Sequence, residues 1–142
     1  MEELQEKSLQ HESVKIAIPT ARTPFEELDQ PVQLAIKCAQ EKKAVELVAL
    51  DLREIASFTE FFVIASGTNQ RQVQAICDEI NDQLKKNLNA KSVRIEGYST
   101  GEWVLLDYGD FVVHVFNKEA RDFYDLERLW RDARKVDIPQ EN

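Results

Sequence analysis

The sequence predicts an α/β or α+β fold: a mixed sheet of about five strands flanked by helices, in the order α-β-β-α-β-β-β-α. Three observations carry this. Segments 44–52 and 61–67 are apolar on both alternating sets, as in strands covered on both faces. Segment 68–88 repeats apolar residues at spacings of three and four, the mark of an amphipathic helix. The last three strands follow one another too closely for helical crossovers, so part of the sheet must be antiparallel.

Residues 1–29 are polar, acidic and weakly periodic, which predicts a mostly disordered acidic tail. The domain is expected over 30–136, with a short C-terminal tail at 137–142. Its first helix starts near Asp29 or Gln30, with Pro31 in the first turn, where a missing N–H costs little. Leu28, Val32, Ala35, Ile36 and Ala39 form its apolar face, and Lys42 and Lys43 suit its C-terminus. The two buried strands follow, their direction of pairing open. The helix over 68–88 carries Val73, Ile76, Ile80, Leu84 and Leu88 inward, and Asn69 with Gln72 resembles a capping box. A strand at 91–97 precedes the hairpin "WVLLDYGDFVVHVF" (103–116), which turns at Tyr108-Gly109. A last helix is expected from 119 to 135, with Phe123, Leu126, Leu129, Trp130 and Ala133 as its stripe.

The 142 residues suit one domain, and 43% hydrophobic with 31% charged residues suits a packed, water-exposed fold. No apolar run approaches a membrane span, and no signal-like n-region or h-region opens the chain, so a cytoplasmic location is expected. A formal charge of −8 disfavours free nucleic acid and favours a basic protein partner. Cys38 and Cys77 lie in helical patterns and read as small buried residues. No Cys/His spacing suits a metal, and no cofactor is expected.

Two places could carry chemistry. Ser66-Gly67 stands at a strand end before a helix N-terminus and resembles the Gly-Ser turn of nucleotidyltransferases, which could cradle phosphate. Such enzymes also need paired carboxylates on a neighbouring strand. Asp51 is present, but Arg53 stands where the second acid would be, and its charge opposes a metal. His114 alternates with Val112 and Phe116, so it reads as a packed core residue rather than a general base. No catalytic residue is expected.

The hairpin is more informative. No Lys or Arg lies between Arg94 and Lys118, while Glu96, Glu102, Asp107 and Asp110 do, interleaved with Tyr98, Trp103, Leu105, Leu106 and Tyr108. An acidic rim around large apolar groups is the composition of a docking patch for a basic protein. The other reading is that the apolar groups point inward and the acids solvate a turn. Trp103, Leu105 and Asp107 share one face; Val104, Leu106 and Tyr108 share the other. Both faces carry bulk, so both are expected to be covered, one of them by another molecule.

The segments "FFVIASGTNQRQVQAICDEI", "IEGYSTGEWVLLDYGDFVVHVF" and "ARDFYDLERLWRDA" closely resemble the ribosomal silencing factor, or Iojap-like, family over about residues 30–135. The resemblance implies a fold similar to nucleotidyltransferases without their catalytic carboxylates. It implies a non-enzymatic role: binding ribosomal protein uL14 at the intersubunit face of the large ribosomal subunit. Bound there, the protein would block joining of the small subunit when nutrients run short. A homodimer is also implied. The docking role carries over to Glu96, Trp103, Leu106, Asp107, Tyr108 and Asp110, with Gly97 and Gly109 shaping turns. Trp103, Leu106 and Tyr108 would be apolar anchors, and Glu96, Asp107 and Asp110 would face basic residues of the partner. His114, Arg121 and Tyr124 match family positions with no more than a supporting role. A large-subunit assembly factor and a nucleotidyltransferase-like enzyme at Ser66-Gly67 remain alternatives.

Overall fold

The structure is a computed structural model, and it describes residues 2–12 and 19–140. The expectations for residues 1, 13–18 and 141–142 lie outside the described residues. Helix α1 (Glu3–Ser8) comes first, followed by a 3-10 turn at Phe25–Glu27 and helix α2 (Gln30–Glu41). Strands β1 (Val45–Asp51) and β2 (Phe61–Ser66) lead into helix α3 (Gln70–Leu88). Strands β3 (Arg94–Glu96), β4 (Trp103–Asp107) and β5 (Phe111–Phe116) follow. Helices α4 (Lys118–Tyr124) and α5 (Leu126–Leu129) and strand β6 (Arg134–Lys135) complete the fold. The six strands make one sheet in the order β3-β4-β5-β2-β1-β6, one more than the sequence suggested. The extra strand is two residues long, too short for any periodicity to announce it.

The sheet is mixed. β2 and β5 run parallel, with Val63 opposite Val113, and the other pairs are antiparallel. β2 sits between β1 and β5 and is buried throughout, as its uninterrupted apolar run predicts. β1 is buried only over its second half, because its register shifts between Val45 and Val48, where Glu46 has a φ of 50°.

One face of the sheet packs on α2 and α3 through Val32, Ala35, Ile36, Val73, Ile76, Ile80 and Leu84. The apolar stripes of both helices follow the sequence reading except at Leu88, which is only partly buried, and they include Cys38 and Cys77. Asn69 caps α3 by accepting from Gln72 N at 2.8 Å, while the Gln72 side chain reaches back to Thr68 N rather than to Asn69. The opposite face carries Leu105, Phe116, Leu126 and Trp130, with Leu4 and Leu9 packed against them. The cover expected from another molecule is therefore supplied by this chain's own α1, α4 and α5.

Three expectations are corrected here. The stretch 1–29 is not simply a disordered tail: α1 buries Gln5 and Ser8, and Thr23, Phe25 and Leu28 pack before α2 begins. The C-terminal end is likewise tied down, with Asp137 N donating to Thr23 O and Gln40 Nε2 to Pro139 O. The last helix is also not continuous. Asp125 adopts a left-handed conformation at φ 51° and breaks it into α4 and α5. The break changes the helical phase, so Leu126, Trp130 and Ala133 point inward while Phe123 is 80% exposed.

Candidate protein interface

The hairpin between β4 and β5 is held from both sides. Asp107 Oδ1 accepts from Gly109 N at 2.8 Å, an Asx turn closing the tip. Tyr108 N donates to Phe111 O, Thr59 Oγ1 donates to Gly109 O, and Glu60 N donates to Asp110 O. The tip is thus fastened to the loop before β2. Gly109 has a φ of 84° with open space around it, so conformation alone favours glycine. At Gly97, φ is 77° and a Cβ would lie 2.1 Å from Trp103 O, so space and conformation both demand glycine.

The predicted site residues separate into two groups. Asp110 and Gly109 are exposed at the tip, and Asp107 and Tyr108 are half-buried beside them. The Tyr108 ring stacks on Phe111 at 4.8 Å, and its hydroxyl donates to Asn81 Oδ1. Burial pushes the Tyr108 phenol up, so it is a neutral donor at any ordinary pH. These four residues form one accessible acidic knob.

Glu96, Trp103 and Leu106 are buried, which corrects their reading as exposed contacts. Leu106 is fully enclosed against the α2–α3 face, opposite Val113 and Ile95. Trp103 is 4% exposed; its ring stacks on Phe116 at 5.1 Å and lies 4.6 Å from Tyr124. Glu96 is 1% exposed, its carboxylate accepting from Leu4 N at 3.3 Å and Gln5 N at 3.1 Å. Period-two alternation shows which side chains share a face but not what lies over that face. The cover over Glu96 is α1, in a stretch whose two leucines give no visible period.

The three supporting residues have structural work. His114 is fully buried, and its Nδ1 accepts from Trp103 Nε1 at 3.1 Å. The proton of the neutral ring therefore sits on Nε2, which has no protein partner among the described residues. Burial pushes His114 down to about 3, so the ring is neutral and cannot act as a base near neutral pH. Arg121 is buried and donates through Nη1 to Ser66 Oγ at 2.8 Å and through Nε to Glu127 at 3.0 Å. Tyr124 closes over Trp103 and Phe116.

Arg121 also bears on the enzymatic alternative. The Ser66 hydroxyl is engaged by it, and the hollow of about 240 Å³ beside Ser66 and Gly67 is lined by Glu46, Glu119 and Asp122 as well as Lys118. A Cβ on Gly67 would lie 2.9 Å from Val73 N, so that glycine admits α3 against the strand end. Asp51 is clamped by Arg53 through Nε at 3.0 Å and Nη2 at 2.7 Å, and by Thr23 Oγ1 at 2.7 Å. Burial raises its carboxyl, but these hydrogen bonds outweigh burial and hold it below the ordinary carboxylate range. Among the described residues, no group of three or more His, Cys, Asp or Glu could hold a metal. Cys38 and Cys77 are free and buried, and burial pushes the Cys38 thiol up to about 11. Both are packing groups rather than nucleophiles.

Comparison with known proteins decides the family. A family model described as "Ribosomal silencing factor during starvation" matches residues 25–142. The chain belongs to the ribosomal silencing factor family. A "Ribosomal silencing factor RsfS" of Halalkalibacterium halodurans is 42% identical over 107 residues, covering 75% of this chain and 91% of the relative. That of Bacillus subtilis is 40% identical, covering 75% and 90%. A crystal structure of a Chromobacterium violaceum protein superposes with a TM-score of 0.69 at 34% identity, over 78% of this chain and 88% of that one. Ribosomal silencing factors are non-catalytic, in keeping with the engaged Ser66 and the clamped Asp51.

Proposed function

We propose that this silencing factor docks on the large ribosomal subunit through uL14 at the intersubunit face. There it excludes the small subunit by bulk and lowers translation when nutrients are short. Family membership is the observation that carries this reading. The hairpin tip supports it: Asp107, Tyr108 and Asp110 make an acidic, aromatic knob fastened to the sheet. Asp107 and Asp110 supply its negative charge, with Arg94 opposite Asp107 across β3 and β4. Such a surface attracts a basic ribosomal protein and repels incoming rRNA. The reading includes a nucleotidyltransferase-like fold without the metal-binding carboxylates, supported by Arg53 beside Asp51. It also includes a homodimeric free state and a cytoplasmic location.

The test is co-sedimentation of the purified protein with isolated large subunits, before and after small subunits are added. Comigration with loss of joined ribosomes supports docking and exclusion together. Comigration with normal joining points instead to an assembly role. No comigration overturns the proposal.

A further inference from the structure

The buried part of the predicted docking group has its cover in this same chain. α1 lies over β3 and β4 beside the hairpin tip. Its first turn offers Leu4 N and Gln5 N to the Glu96 carboxylate, and Gln5 Nε2 donates to Trp103 O at 3.0 Å. Glu2 accepts from Gly97 N at 3.1 Å. Glu3, Leu4 and Lys7 line one hollow with Arg94, Asp107 and Gly109. Lys7 is the only Lys or Arg from residue 2 to 12; it lines the same hollow, with its ammonium over the Phe58 ring at 5.8 Å. The far end of the segment is pinned elsewhere. Ser8 O accepts from Trp130 Nε1 at 2.8 Å, and His11 stacks on Trp130 at 3.8 Å while its Nε2 meets Asp132 at 2.8 Å.

We infer that α1 is a built-in competitor: its N–H donors occupy the Glu96 carboxylate, on the face that a basic ribosomal protein would use. Three features make it removable. A six-residue helix has little stability apart from its contacts, so leaving the face costs only those contacts. The family match begins at residue 25, so the domain is defined without it. Its contacts reach the sheet through side chains and helix-end N–H groups, so no strand pairing is broken when it lifts. Lifting it frees both oxygens of Glu96 from α1, leaving Arg94 as the carboxylate's partner, and releases the Trp103 carbonyl. The affinity for the ribosome is then reduced by the fraction of molecules in the closed state. This inference rests on the docking reading above.

Full-length wild type, Leu4→Asp and His11→Ala separate the two claims. The variants loosen opposite ends of the segment, so a folding defect in one leaves the other readable. Acrylamide quenching of tryptophan emission reports uncovering, and co-sedimentation with isolated large subunits reports affinity. The expected result is stronger quenching and at least ~5-fold tighter binding in both variants. Stronger quenching with unchanged or weaker affinity overturns it while the docking reading stands, because α1 is then inert or part of the contact. Unchanged quenching in both variants also overturns it, since these contacts do not hold the cover. If neither wild type nor variants comigrate, the docking reading fails and the inference falls with it.

Discussion

Leu106 and Trp103 neighbour the hairpin tip in sequence, yet each is enclosed by the protein, so their substitutions act first on stability. Leu106→Ala is expected to cost about 3 kcal/mol, as other enclosed leucines do, measured by denaturant unfolding. A cost below ~1 kcal/mol with weakened ribosome binding would restore Leu106 as a contact. Asp110 is exposed, so Asp110→Lys should leave the unfolding midpoint within about 0.5 kcal/mol of wild type and weaken binding to large subunits. The salt dependence of binding should flatten in that variant; an unchanged slope would contradict the electrostatic account. His114 gives a pH test. Its folded-state pKa is depressed to about 3, below the ordinary value near 6.5. The neutral ring's contribution is therefore present above pH ~6.5 and is lost as pH falls toward 3. In that window His114→Phe should lose stability less steeply than wild type, by up to ~1.4 kcal/mol per pH unit. Parallel profiles would mean that His114 is protonated in the fold.

At the scale of elements, two glycines make a matched pair. Gly109→Ala pays only for its positive φ, about 1 kcal/mol, whereas Gly97→Ala also drives a Cβ into the Trp103 carbonyl and should cost more than ~3 kcal/mol. Thermal unfolding of both variants checks the order, and equal costs would contradict the close approach of β3 to β4. The elements also show what could be read in advance. α2 and α3 are long enough for their period to declare both the helix and its inward face, and the hairpin is declared by two apolar runs around Tyr108-Gly109. α1 is too short for a period, and β6 too short for any pattern. The α4–α5 break turns on one residue, Asp125, in a conformation that a polar side chain tolerates but does not announce. For the candidate site, the turn at Asp107, Tyr108, Gly109 and Asp110 is legible because turns are chemically explicit. The burial of Glu96 and Trp103 was not, because it is decided by a distant segment laid over them.

Across the whole molecule, the sheet is covered on both faces by the chain itself, and the surface is strongly acidic at a net −8. On the proposed reading, an acidic body with one fastened knob would need only affinity and position to keep two subunits apart. The engaged Ser66, the Asp51–Arg53 clamp and the buried His114 leave the described structure without a poised catalytic group. The most direct test is sedimentation of large and small subunits with and without the full-length protein. The account predicts that the protein travels with the large subunit and that joined ribosomes diminish as it is added. Undiminished joining at saturating comigration would contradict exclusion.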